Sequence, residues 1–153
     1  MTAERDVARH DRVTGRTKFA DDLEVDGVLY GAFVRIPHRR AVIDLIDTDL
    51  AANAPGIVRI FTAKDFGADG PPRFGPAVMD QPVLAVDEVK YEGEPVALVV
   101  ADTIEHARAA VRLVEVDSRQ LAGWHTVADA LASPPLHNPD NRGSDQSPWR
   151  DTN

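Results

Sequence analysis

The chain has 153 residues, of which 43% are apolar and 27% charged, with a formal net charge of -8 and no cysteine. That length supports one domain, and the acidic balance opposes nucleic acid and acidic membrane surfaces as partners. The lack of cysteine excludes disulfides, thiolate nucleophiles, iron–sulfur clusters and cysteine zinc sites within this chain.

The opening residues, MTAERDVARHDR, hold no apolar signal core, and no apolar run reaches membrane-spanning length, so a cytoplasmic location is expected. Residues 1–12 are mostly polar and are expected to form a loose arm that orders only against a neighbour. The first strand is expected over Val28–Ile36, VLYGAFVRI, whose two faces are both apolar, as in the middle of a sheet. Pro37 ends it by withholding an amide donor. Alternation then predicts a strand over Ala41–Asp47 and a short helical turn over Thr48–Asn53. Pro55-Gly56 marks a turn before a third strand, Ile57–Thr62, and a single helical turn at Ala63–Phe66. Three glycines and three prolines make Gly67–Pro76 an exposed loop. A short strand within Met79–Tyr91 follows.

Val89–Asp117 carries the clearest local signal. Val96–Ala101 is an unbroken apolar run of strand length, suited to burial on both faces. Asp102 is placed to cap a helix, with Glu105 three residues on to complete a capping box. Ile104, Ala107, Val111 and Val114 form its apolar stripe, and a returning strand ends near Asp117. The unit reads as βαβ, with a right-handed crossover and parallel strands. Val127–Leu131 predicts a short helix, and residues 133–153 form a polar tail.

Two side chains are candidates for acid–base work. His38 stands between Pro37 and the pair Arg39-Arg40, where it can serve as a general base or anion contact, or simply hold a turn. Glu94 follows Gly93 and precedes a buried strand, so it can act as an acid or base, or accept backbone amides in the tight turn. Asp21, Asp22 and Asp26 crowd one strand start but lack the alternating ligands and glycine of a calcium loop. Histidines 10, 38, 106, 125 and 137 never fall at metal-ligand spacing, so no metal site is expected. Gly67–Pro76 lacks the ending of a phosphate loop, and no serine stands in a nucleophile elbow.

Several segments, taken in order, resemble the a/b hammerhead domain that opens the molybdenum-binding subunit of the xanthine dehydrogenase and aldehyde oxidase family. They are RVTGRTKFADDL at 12–23, GVLYGAFVR at 27–35, Pro37-His38 with Ala41 and Ile43, Pro55-Gly56-Ile57-Val58, Pro82-Val83-Leu84-Ala85, and Tyr91–Ala101 with its Gly93-Glu94-Pro95-Val96-Ala97 core. The resemblance covers about residues 11–137. Arg40 replaces a histidine usual in relatives, Ile36 replaces a serine, and Ser118–Trp124 departs most from the family pattern.

The resemblance implies an α+β fold: a hammerhead domain over 13–132 with a mixed sheet, a βαβ crossover and few short helices. It also implies a subunit or fragment of a molybdenum hydroxylase whose own role is structural and partner-docking. The molybdopterin cytosine dinucleotide and the catalytic residues would lie in a molybdenum-binding large subunit, beside an iron–sulfur subunit, with no cofactor in this chain. The alternatives are a stand-alone, cofactor-free lyase, isomerase, cyclase or small-molecule-binding module, homodimeric if it acts alone, and a truncated remnant without activity.

Overall fold

A computed structural model describes residues 9–22, 25–75 and 79–133. Most of the expected arm and nearly all of the expected tail therefore lie outside the described residues. Among the described residues, helices are short: α1 (residues 9–13), α2 (Asp49–Ala52), α3 (Ile104–Val111) and α4 (Val127–Leu131), with 3-10 turns at Ala20–Asp22 and Ala63–Asp69. The strands are β1 (Tyr30–Arg35), β2 (Ala41–Asp47), β3 (Ile57–Thr62), β4 (Arg73–Phe74), β5 (Gln81–Pro82), β6 (Glu88–Val89), β7 (Pro95–Ala101) and β8 (Glu115–Gln120).

They form one sheet in the order β1-β7-β3, a second in the order β6-β2-β8, and a β4-β5 ribbon. Val34, Val96, Ala97 and Val99 from the first sheet, with Ile36 just after β1, share one buried cluster with Ala41 and Val89 from the second. Ala51 of α2, Ala110 of α3 and Ala85 complete it. Ala107 and Ala110, both fully buried, make up the packed stripe of α3, and small side chains let the helix lie close to the sheet. The α+β class expected from the sequence is the class observed.

Three expectations are corrected. All strand pairs among the described residues are antiparallel, so the strand–helix–strand unit is not a parallel crossover. From β7 the chain passes through α3 into β8, which joins the other sheet beside β2. The reason lies in composition: β8, EVDSRQ, alternates half-buried with exposed residues, whereas a parallel strand covered on both faces needs a continuous apolar run.

The first strand is also an edge rather than a centre. The continuous apolar run of β7 takes the position with two neighbours, and β1 buries Val34 while leaving Phe33 on the open face. Thr103, not Asp102, caps α3: its backbone is extended and its hydroxyl oxygen accepts from the His106 amide at 3.1 Å. Asp102, one residue too early for that bond, meets the His106 ring instead, Oδ1 to Nδ1 at 2.6 Å.

Three aspartates tie neighbouring segments together and should make stability depend on acid. Asp44 accepts two bonds from Arg119, at 2.8 and 3.0 Å. Asp65 accepts from the Thr62 amide at 2.7 Å, closing a capping box. Asp102 pairs with His106. Each is held below the ordinary carboxylate value of 3.8, by the Arg119 side chain, the Thr62 amide and the His106 ring respectively. A carboxylate with a depressed folded pKa stabilises fully above its unfolded value and loses that contribution as pH falls through the folded value. The urea midpoint should thus stay level from pH 7 to about 5 and fall below about pH 4. Asp65→Asn should flatten part of that acid slope.

Candidate functional site

One end of the second sheet opens into a recess of about 330 Å³. The pairing of Ala41 with Val89 on one side and Gln120 on the other sets the start of β2 between two other strands. Their continuations must then surround the residues just before β2. Arg39 and Arg40 enter from the turn after β1, Lys90, Tyr91 and Glu92 from the end of β6, and Gly123, Trp124 and His125 from beyond β8. The Leu121 amide donates to the Arg40 carbonyl at 2.9 Å, which extends the β2–β8 pairing to the rim.

The two arginines are held differently. Arg40 is fixed on three sides: its Nε donates to Glu88 at 2.5 Å, its guanidinium lies 4.9 Å from the centre of the Trp124 ring, and Nη1 reaches the Ala122 carbonyl at 3.4 Å. Arg39 is more exposed and donates from Nη1 to His125 Nδ1 at 2.5 Å. A guanidinium only donates, so Nδ1 is the acceptor of that pair. Its Nε contact with Glu92 is 3.4 Å, long for a charge-assisted bond. Among the described residues, the Lys90 ammonium makes no ion pair.

The expected site residues sit beside this recess without lining it. His38 is half-buried in the turn that delivers Arg39, and its side chain makes none of the hydrogen bonds among the described residues. Glu94 is buried below the turn at 91–94, where Oε2 accepts from the Lys90 amide at 2.6 Å. The structure thus brings together their neighbours, Arg39 and Lys90, and adds Trp124, which the sequence marks only as part of a divergent stretch. By sequence that stretch is the largest departure from the family pattern, with Arg40 and Ile36 as single departures, and Arg40 and Trp124 are in contact. The pairing of a divergent basic residue with a tryptophan in an aromatic-poor chain was the available signal. Among the described residues, no group of three or more His, Asp or Glu side chains is placed to hold a metal ion.

Residues 14–122 match the family described as "Aldehyde oxidase and xanthine dehydrogenase, a/b hammerhead domain". The chain is 39% identical over 120 residues to a probable xanthine dehydrogenase subunit of Bacillus subtilis (strain 168), covering 78% of this chain and 16% of that one. It is 36% identical over 140 residues to the nicotine 6-hydroxylase large subunit of Paenarthrobacter nicotinovorans, covering 86% and 17%. The crystal structure of a Cu,Mo-CO dehydrogenase superposes with a TM-score of 0.71 at 34% identity, over 81% of this chain and 16% of that one. The chain spans about a sixth of the length of these two curated relatives. It belongs to the a/b hammerhead domain family of the aldehyde oxidases and xanthine dehydrogenases.

Proposed function

We propose that this domain is the non-catalytic docking module of a molybdenum hydroxylase acting on aldehydes or nitrogen heterocycles. The observation that carries the reading is the open face of the first sheet. Phe33, Leu98 and Phe61 stand in register across its three strands, and Phe33 keeps 46% of its surface exposed. Exposed Leu29 precedes β1 on the same alternation as Gly31 and Phe33. The Arg35 guanidinium lies 5.3 Å from the Phe33 ring centre, and that of Arg59 4.8 Å from the Phe61 ring centre. Aromatic centre and arginine rim are the anatomy of a protein interface, and a contiguous apolar patch on a charged chain marks a docking surface.

The partner in this reading is the molybdenum-binding part of the enzyme, on the same polypeptide or another, with an iron–sulfur chain beyond it. The redox group is molybdopterin cytosine dinucleotide held by that partner. The residues described here do not fit that group. The recess, at about 330 Å³, is at the small end of ligand pockets and too small for a dinucleotide. No step of the redox reaction is therefore assigned to this chain.

Size-exclusion chromatography with a molybdenum-binding large subunit from the same source tests the reading. The parent chain should co-elute with the molybdenum. Phe33→Asp should weaken the complex by about 30-fold or more, the effect of charging a buried aromatic anchor, with an unchanged circular dichroism spectrum. A parent chain that elutes alone at every concentration tested would count against it.

A further inference from the structure

We infer that the recess beside β2 binds a small aromatic or heteroaromatic carboxylate. The inference rests on that recess alone and is independent of the docking face on the other sheet.

Charge is the first argument. The chain carries a net charge of -8, yet Arg39, Arg40 and Lys90 line this recess against the single carboxylate of Glu92. Arg40 is answered by Glu88 and committed to stacking on Trp124. Arg39 gives Nη1 to His125, but its Nη2 makes no hydrogen bond among the described residues. The contact from Arg39 Nε to Glu92 is long, and the Lys90 ammonium has no ion pair among the described residues. Donor capacity therefore remains on two cations that face one concavity. An anion brought between them gains charge-assisted hydrogen bonds from the donors those contacts leave open, and the planar fork of an arginine suits the two oxygens of a carboxylate.

Shape is the second argument. Trp124 and Tyr91 are both walls of the recess, in a chain whose aromatic content is only 6%. Arg40 holds the Trp124 ring in place from one side. A planar ring in the recess would meet aromatic surface already ordered, so little entropy is lost in positioning it. A volume of about 330 Å³ accommodates a single-ring ligand. An extended anion or a polynucleotide has no such fit.

Benzoate titration, followed by Trp124 fluorescence in a Trp149→Phe background, tests the assignment on the full chain. A saturable change is expected in the millimolar range. Arg39→Gln and Lys90→Gln should each weaken binding by about tenfold or more, the loss of one hydrogen bond to a charged group. Arg39 is exposed and Lys90 half-buried, and urea unfolding checks that each variant folds. Benzamide, with the ring but no charge, and acetate, with the charge but no ring, should bind at least about tenfold more weakly. The assignment fails if benzoate gives no saturable change, if both variants bind it like the parent, or if benzamide or acetate binds equally well. It also fails if an acidic peptide saturates the recess where benzoate does not, since the recess would then be a protein-docking site.

Discussion

Replacing Glu94 by alanine should lower the stability of the fold by about 3 kcal/mol, the sum of a lost hydrogen bond at a buried site and the space left by the side chain. Glu94 is 1% exposed, and its Oε2 accepts from the Lys90 amide at 2.6 Å across a turn whose Glu94 amide donates to the Tyr91 carbonyl at 3.2 Å. Arg35 donates to the Gly93 carbonyl in the same turn. Gly93 takes a φ of +86°, a conformation that costs an L side chain energy. This turn launches β7, the strand with two neighbours, and the Ala85 amide donates to the Pro95 carbonyl at 2.7 Å just after it. An error here is transmitted to the centre of the first sheet. Glu94→Gln keeps an acceptor oxygen and should cost only about 1 kcal/mol. Urea unfolding read by far-ultraviolet circular dichroism measures both. Stability within about 0.5 kcal/mol of the parent for Glu94→Ala would contradict this structural role.

Gly56→Ala should be nearly as damaging, at about 2–3 kcal/mol, for two separable reasons. Gly56 sits at φ +73°, and a Cβ there would collide with His106 Nδ1 and Asp102 Oδ1. The backbone conformation alone costs an L residue about 1–2 kcal/mol. The remainder comes from forcing apart the Asp102–His106 pair, which closes over this turn while the Asp102 amide donates to the Gly56 carbonyl at 3.0 Å. Adding His106→Ala removes the ring and should recover its share of the steric cost, but neither the share due to Asp102 nor the backbone part. The double-mutant cycle should therefore show coupling of about 1 kcal/mol. Strict additivity would show that the clash is relieved by a different movement.

These two turns show how differently local and distant information enters the fold. Pro55-Gly56 is visible as a turn because proline and glycine restrict the backbone at the residue itself. Its dependence on His106 is not visible, because the ring reaches it only after α3 has folded back. The bounds of β2, β3 and α4 follow from alternation and punctuation within their own few residues, and the structure reproduces them. The helix cap moved from Asp102 to Thr103 because both residues are good caps and only the backbone angle at 103 selects between them. The recess was less legible still. Arg39-Arg40 stands out by its charge, but Lys90 and Trp124 come from segments remote in the chain and carry no local motif.

By itself the sequence determined the α+β class, most strand and helix positions and, through the order of its segments, membership of the hammerhead family. Each of these depends on residues near one another in the chain, where side-chain alternation, turn chemistry and motif order act directly. Tertiary structure alone decided that β1 is an edge, that β8 crosses to a second sheet against β2, and that Arg40 meets Trp124 beside Lys90. Strand partnering is set by competition for buried surface and unpaired backbone groups across the whole chain. A short stretch such as EVDSRQ is compatible with several neighbours until the core has chosen one.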